Sequence, residues 1–490
     1  MPDTPFFPLW RNQLAPWGSR TLQTYRQVRA YTLAQLELCF ASWFPAELFP
    51  KAPKKANSRD RHYTRARTFW CCLWQNLNPG TSGREVVRQL QALFRLQNGP
   101  EISEEDGAYC RARARLPLGP FAQALHATAQ VADQRATPLT LLRARPLKVV
   151  DGSTLTLLAD TPKNRAAYPA IQCQPGQPSF PMMRFVVLLS LASGAIAALA
   201  EGSLRISELS LLAMLTQRLD RGDILIGDRG FGGYSLIALL QSTVGVDFIG
   251  RTRRRLQARK LRRLAPTDWL VQWPKGGNPS PWLTSAQWRG LPGSLTLRLV
   301  QGSLYQKGYR VRVVRVVTTL LDPELYPAQE ILQAYRRRWR LEMCLDDLKT
   351  TLGLESLRNR TPEMVRQELH ARLIAHNLVR GLMAQAATEY SVPLERISFT
   401  GSLDALRQFA QAMAQARSKA QRRALWTELL RTLATDLVPE RPGRREPRAV
   451  KRKKNRYPRL RGPRHRFRDH LKRHDRRRLS RLRKLGLKLK

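Results

Sequence analysis

Apolar residues recur at helical spacing through the first 140 residues. Leu22–Leu48 and Thr64–Asn76 carry the pattern, and REVVRQLQALFRL continues it after the breaker NPGTSG. In ISEEDGAYCRARARL, Ser103 stands as an N-cap, and Arg111, Arg113 and Arg115 are expected on a basic outer face. Two short helices, the second basic, have the form of a helix-turn-helix reader of DNA, although a solvated basic helix has the same pattern. From Leu147 the period changes. LKVVDGSTLTLL, MRFVVLLSLASG and AIAALAEGS read as strands parted by turn residues. ISELSLLAMLTQRL then reads as a helix, DILIGDRGF as a buried strand, Tyr234–Gln241 as a helix and VDFIGRTR as a strand. That order predicts an α/β fold whose core is a mixed sheet of RNase H-like type.

Residues from about 254 to 322 alternate short β segments with Trp, Pro and Gly, the pattern of a β-rich insertion. Helix is predicted again over Ala328–Thr351 and Glu363–Tyr390. The expected divisions are a helical DNA-binding region over 1–140, the core over 141–253 and 323–440, the insertion over 254–322, and a basic helical or disordered tail over 441–490.

Charge sharpens this picture. Lys and Arg number 84 against 37 Asp and Glu, a formal net charge of +47. Self-repulsion on that scale points to a polyanionic partner, nucleic acid above all. A basic tail alone does not account for it, since Arg is dense at Arg251–Arg255 and Arg336–Arg340 as well. The tail itself suits unspecific phosphate neutralisation. Cys39, Cys71, Cys72, Cys110, Cys173 and Cys344 form no CxxC pair and read as free thiols of a reducing compartment. The start lacks a signal-peptide pattern, and Phe185–Ala200 is divided by Ser193 and Gly194, so two short strands explain it better than a membrane span. A cytoplasmic, nucleoid-associated protein with no membrane partner is expected.

Three carboxylates stand out. Asp151 lies within one apolar strand and Asp228 ends another, where a charge is costly unless a cation or partner neutralises it. Either one alone could cap a turn. On the helix ILQAYRRRWRLEMCLDDLKTTLG, Tyr335, Arg338, Glu342 and Lys349 fall within an arc of roughly 60° at ~100° per residue. Leu341, Leu345, Leu348 and Leu352 dock this helix and leave the polar stripe at a boundary. A solvated face with Arg338–Glu342 pairing is one reading, and metal binding beside a phosphate backbone is another. Asp346 is a rival third ligand on the same face. His370 and His376 read as satisfied core histidines, and Asp160, Asp220, Asp223 and Asp247 as solvated or capping residues.

Asp in VVDGST, Asp in IGDRGF and the spacing Y-x2-R-x3-E-x6-K resemble the insertion-sequence DDE transposases with the YREK signature, the insertion sequence four family. The resemblance runs from about Leu147 to Arg380 and includes the β-rich insertion. It implies that Asp151, Asp228 and Glu342 hold two divalent ions, Mg²⁺ with Mn²⁺ as substitute, and cleave DNA at transposon ends. It implies that Tyr335, Arg338 and Lys349 grip phosphates near the cleaved end; Arg229, beside Asp228, and Arg111 and Arg113 are further candidate DNA contacts. Double-stranded DNA, as terminal inverted repeats and target, would be the partner, held by a homodimer on paired ends. Trp269, Trp273, Trp282 and Trp288 are candidates for a wedge at a hairpin end, or else aromatics of a small core. The alternatives are an RNase H-like nuclease or resolvase without strand transfer, and a domesticated DNA-binding protein.

Overall fold

The computed structural model describes residues 39–46, 48–49, 62–96, 101–170, 180–251, 256–303, 313–416 and 418–439. Most of the helix expected over Leu22–Leu48, Cys173 and the basic tail lie outside the described residues.

Among the described residues, four α-helices precede the sheet: α1 (Arg65–Leu77), α2 (Gly83–Leu96), α3 (Gly107–Ala114) and α4 (Leu118–Arg135). Thr64 starts α1 by accepting the Arg67 N–H on its hydroxyl. The cap expected at Ser103 is different: α3 begins at Gly107 after Asp106, and Ser103 accepts the Glu105 N–H in the turn before it. The expected basic face is also corrected. Residues two apart on a helix point about 200° apart, so Arg111 is exposed while Arg113 is buried, its Nη1 donating to Gln75 Oε1 at 3.2 Å.

The chain then gives β1 (Leu147–Leu155), β2 (Leu157–Leu158), α5 (Pro162–Ala167), β3 (Met183–Ser190), β4 (Ile196–Ser203), α6 (Glu208–Leu215), β5 (Ile224–Gly227), α7 (Tyr234–Leu239) and β6 (Asp247–Gly250). The apolar stretch Phe185–Ala200 is β3 and β4, antiparallel, with Gly194 at a φ of 77° in their turn. A left-handed backbone there suits glycine. The insertion supplies β7 (Arg259–Ala265), β8 (Asp268–Pro274), α8 (Ser285–Gly290), β9 (Ser294–Ser303) and β10 (Val313–Thr318). The nine-stranded sheet runs β4-β3-β1-β5-β6-β10-β9-β8-β7, with β1, β5 and β6 mutually parallel. These strands extend the core sheet through β10 on β6.

Last come α9 (Ala328–Arg336), α10 (Trp339–Asp346), a π-helical turn (Asp347–Thr351), β11 (Ser356–Leu357), α11 (Pro362–Glu389), α12 (Phe399–Gln415) and α13 (Lys419–Thr435). The helix expected over Ala328–Thr351 is therefore not continuous. Around Arg337, backbone bonds tighten to three-residue spacing, as in Arg340 N–H to Arg337 O and Leu341 N–H to Arg338 O.

Alternation along the strands gives the sheet two apolar faces. Leu147, Val149, Val187 and Ile226 bury against α1 and α11, whereas Val150, Val186 and Leu225 bury against α6, α7 and the base of the insertion. Phe69, Phe121 and Trp43 of the N-terminal region belong to the same apolar cluster as α11. The expected boundary near residue 140 therefore crosses a shared core. The described structure is a mixed α/β architecture built on one large mixed sheet with apolar packing on both faces.

Candidate active site

Strand register brings the first two carboxylates together. Val150 pairs with Gly227 on parallel β1 and β5, so Asp151 and Asp228 are the next residues along neighbouring strands. Each steadies its own turn. Asp151 Oδ1 accepts the Gly152 N–H at 2.7 Å, and Asp228 Oδ1 accepts the Gly230 N–H at 2.6 Å. A Cβ at Gly230 would lie 2.9 Å from Asp228 Oδ1, so the tight approach needs glycine. The turn-capping reading and the site reading are both satisfied, because an ionised carboxylate has about four acceptor sites.

Glu342 is on the side of the sheet that Asp151 faces. Leu341, Cys344, Leu345 and Leu348 dock its helix into the cluster that also holds Val149 and Ile226. Burial pushes the Asp151 carboxyl up to about 6; the Gly152 N–H and Arg338 oppose this, and the charges of Asp228 and Glu342 add to it. Arg338 Nη2 donates to Glu342 Oε1 at 3.0 Å. Burial also raises the Tyr335 phenol, against the lowering influence of Arg338 and Arg251. Asp151, Asp228, Tyr335, Arg338 and Glu342 are thus near enough to influence one another electrostatically.

Other expected residues fall differently. Lys349 is half-buried on the π turn, and Arg229 is exposed beside Asp228. Asp346 is exposed at the end of α10, and its charge bears on Asp347. Arg113 is buried in the N-terminal helices, which removes it from the outer DNA-facing surface. His370 and His376 are buried, His370 Nδ1 within 2.9 Å of the Arg366 carbonyl oxygen and His376 stacked on Phe399. Asp223 is buried rather than solvated, paired with Lys148 at 2.6 Å, while Asp247 pairs with Arg145 at the same distance. The four tryptophans of the insertion pack half-buried against its apolar core.

Two residues near the site were not singled out from sequence. Arg251 follows β6 as Asp228 follows β5, and Gly227 pairs with Gly250, so the two stand on adjacent strands. The parallel register was the missing information. Glu208 packs against Gly152 from the other face, where a Cβ would meet its carboxylate at 2.8 Å. Nothing in the spacing of the sequence connects Glu208 with residue 152.

Among the described residues, no three Asp, Glu, His or Cys side chains lie close enough together to hold a metal ion. The donor chemistry nevertheless fits one. Two adjacent carboxylates, one of them pushed toward protonation chiefly by burial, form an all-oxygen set suited to a hard divalent cation. The third carboxylate is engaged by Arg338.

The family model for the transposase DDE domain matches residues 143–378. The transposase InsG for insertion sequence element IS4, from Escherichia coli K12, is 28% identical over 335 residues, covering 67% of this chain and 72% of that protein. The transposase for insertion sequence element IS421, from Escherichia coli, is 35% identical over 66 residues, 14% of this chain and 18% of that one. Among solved structures, a piggyBac transposase synaptic complex with hairpin DNA covers 84% of this chain and 86% of its own at 12% identity, with a TM-score of 0.35, too loose a likeness to carry an argument. The domain match begins just before β1 and runs past Glu342, and the IS4 relative aligns along two thirds of the chain: this chain carries a transposase DDE domain, is similar to the IS4 transposase, and is a DNA transposase.

Proposed function

We propose that the protein binds the terminal inverted repeats of its element, cuts the ends to free a 3′-OH, and joins those ends to target DNA. The observation that carries this reading is the adjacency of Asp151 and Asp228 on parallel strands, with the charge of Glu342 near enough to bear on Asp151. We assign Asp151, Asp228 and Glu342 as ligands on an RNase H-like core. The DDE domain implies dependence on divalent metal. Mg²⁺, with Mn²⁺ as substitute, suits a carboxylate site of this kind. Two such ions supply activation of water or of the 3′-OH and stabilise the leaving oxygen.

The chain's own residues do the rest. Glu342 turns from Arg338 to complete the carboxylate set, which releases the Arg338 guanidinium for a forked contact with a phosphate. Tyr335, Lys349 and Arg229 hold phosphates on either side of the scissile bond. Arg111 and the N-terminal helices bind the end DNA, and the tail neutralises phosphates without reading bases. Two copies act together on paired ends. The work is done on DNA in the cytoplasm; no helix among the described residues is long and apolar enough to cross a membrane.

The test is incubation of the purified protein with end-containing duplex DNA and Mg²⁺ or Mn²⁺. The reading expects cleavage leaving a 3′-OH, followed by joining to a target. Cleavage with no joining under either metal makes the protein a nuclease instead.

A further inference from the structure

We infer that a basic cavity between the N-terminal helices and the catalytic half of the chain holds one phosphate of the end DNA. This rests on the transposase reading and adds a contact remote from the carboxylates. The cavity, about 210 Å³, is lined by Arg113, Arg358 and Arg372 against a single acid, Glu368. Gln75 from α1 and Gly353, just beyond the π turn that carries Lys349, complete the part that matters.

Arg372 has partners that hold it in place, whereas Arg113 is only partly satisfied. Arg372 donates to Glu368 Oε1 at 2.7 Å, to the Leu352 carbonyl at 2.8 Å and to Asn76 Oδ1 at 3.2 Å. Glu368 accepts from Asn359 as well, so its charge is spent within the wall. Arg113 is 6% exposed, yet its Nε and Nη2 have no hydrogen-bond partner. Nη1 donates to Gln75 Oε1, and the guanidinium also meets the Cys72 thiol, a weak acceptor. Leaving buried guanidinium donors unmet is costly. A phosphate oxygen reached through the exposed side of Arg358 meets that need with fork geometry.

An adjoining cavity favours DNA over a free anion. It is about 480 Å³ and shares Pro79 and Thr81 with the first. Trp74 and Gln89 line it, and Trp74 Nε1 and Gln89 Oε1 are buried without partners. A phosphate continuing into a nucleoside spans both cavities, whereas a single inorganic phosphate fills only one.

The contact also has a mechanical consequence. Arg113 belongs to α3, and Gly353 follows the stretch of Glu342 and Lys349, so one bound phosphate ties the DNA-binding helices to the catalytic helix.

The test is ethylation interference on end DNA, with wild-type protein, Arg358→Ala and Arg113→Gln, each checked by circular dichroism. Arg358 is on the rim, so its removal leaves the fold intact if Arg113→Gln does not fold. Both variants should lose interference at the same one phosphate and keep the others. The slope of log affinity against log salt should fall by about 0.9, the share of one phosphate contact. Thermal-shift titration with inorganic phosphate is the second arm. Phosphate stabilisation abolished by Arg358→Ala, with an unchanged DNA footprint, overturns the assignment to DNA in favour of a free anion. An unchanged footprint without phosphate binding overturns the site altogether. If wild-type protein gives no end-specific footprint, the transposase reading fails, which is a different result from a pocket that fails within a normal footprint.

Discussion

Arg338 Nη2 stands 3.0 Å from Glu342 Oε1, on residues one helical turn apart. The arginine side chain is 12% exposed and the glutamate 41%, so the pair bridges the buried floor of the site and its open side. A surface pair of this spacing contributes only ~0.3–0.5 kcal/mol of stability. On the proposed reading its value is positional: it holds a cation ready for a phosphate and a carboxylate ready for a metal.

That relationship makes a contrast among neighbouring cations. Arg338→Ala and Lys349→Ala should each slow end cleavage by about 10- to 100-fold, the worth of a charge-assisted hydrogen bond of roughly 1.5–3 kcal/mol. Arg336→Ala, at the exposed end of α9, should change it less than about twofold, as for a surface substitution. Cleavage rates and paired-end complex formation at one salt concentration check this. Equal small effects at all three positions contradict the phosphate-gripping role.

Asp151 gives a pH signature in metal-free protein. Its folded carboxyl is pushed up to about 6 from an ordinary 3.8, chiefly by burial. The folded state therefore binds the proton more tightly than the unfolded state, and stability falls as pH rises through that window. Asp151→Asn removes this loss. With chelator present at pH 7.5 the variant should be more stable than wild type by about 1–2 kcal/mol, discounted for partial exposure. The gap should close near pH 4. Adding Mg²⁺ should stabilise wild type and leave Asp151→Asn behind. Thermal unfolding across pH, with and without Mg²⁺, measures both; a gap that does not change with pH contradicts the assignment.

The insertion is tied down by a buried ion pair. Arg298 and Asp268 are 1% and 2% exposed and meet at 2.5 Å, and Arg298 Nη1 also donates to the Tyr326 carbonyl at 2.6 Å. Removing one partner leaves an uncompensated buried charge. Asp268→Ala should cost about 3–5 kcal/mol in urea denaturation. Exchanging both partners for apolar residues should recover most of it. A loss below 1 kcal/mol in the single variant contradicts this account of the joint.

Much of the site was legible because its residues are unusual where they stand. Asp151 and Asp228 interrupt apolar strands, and the Tyr335, Arg338 and Glu342 spacing keeps one face even though the helix tightens near Arg337. What could not be read was contact across the chain. Arg251 enters through the register of β6, and Glu208 through the absence of a side chain at Gly152. Arg113 was misplaced for a local reason. The run RARAR looks uniformly basic, but α3 buries one side against α1 and turns alternate arginines in opposite directions. The insertion's composition announced β structure, while its continuity with the core sheet depended on the pairing of Val317 with Gly250.

The central claim is that Asp151, Asp228 and Glu342 perform the chemistry while many basic residues supply DNA affinity. The most direct measurement takes Asp151→Ala, Asp228→Ala and Glu342→Ala separately, and records both binding of end DNA and strand cleavage with Mg²⁺. Metal ligands act on the chemical step and phosphate contacts act on binding. The account predicts binding within about twofold of wild type, since distributed phosphate contacts set affinity, and no detectable cleavage in all three variants. Near-normal cleavage by any one of them contradicts the account and removes that carboxylate from the site.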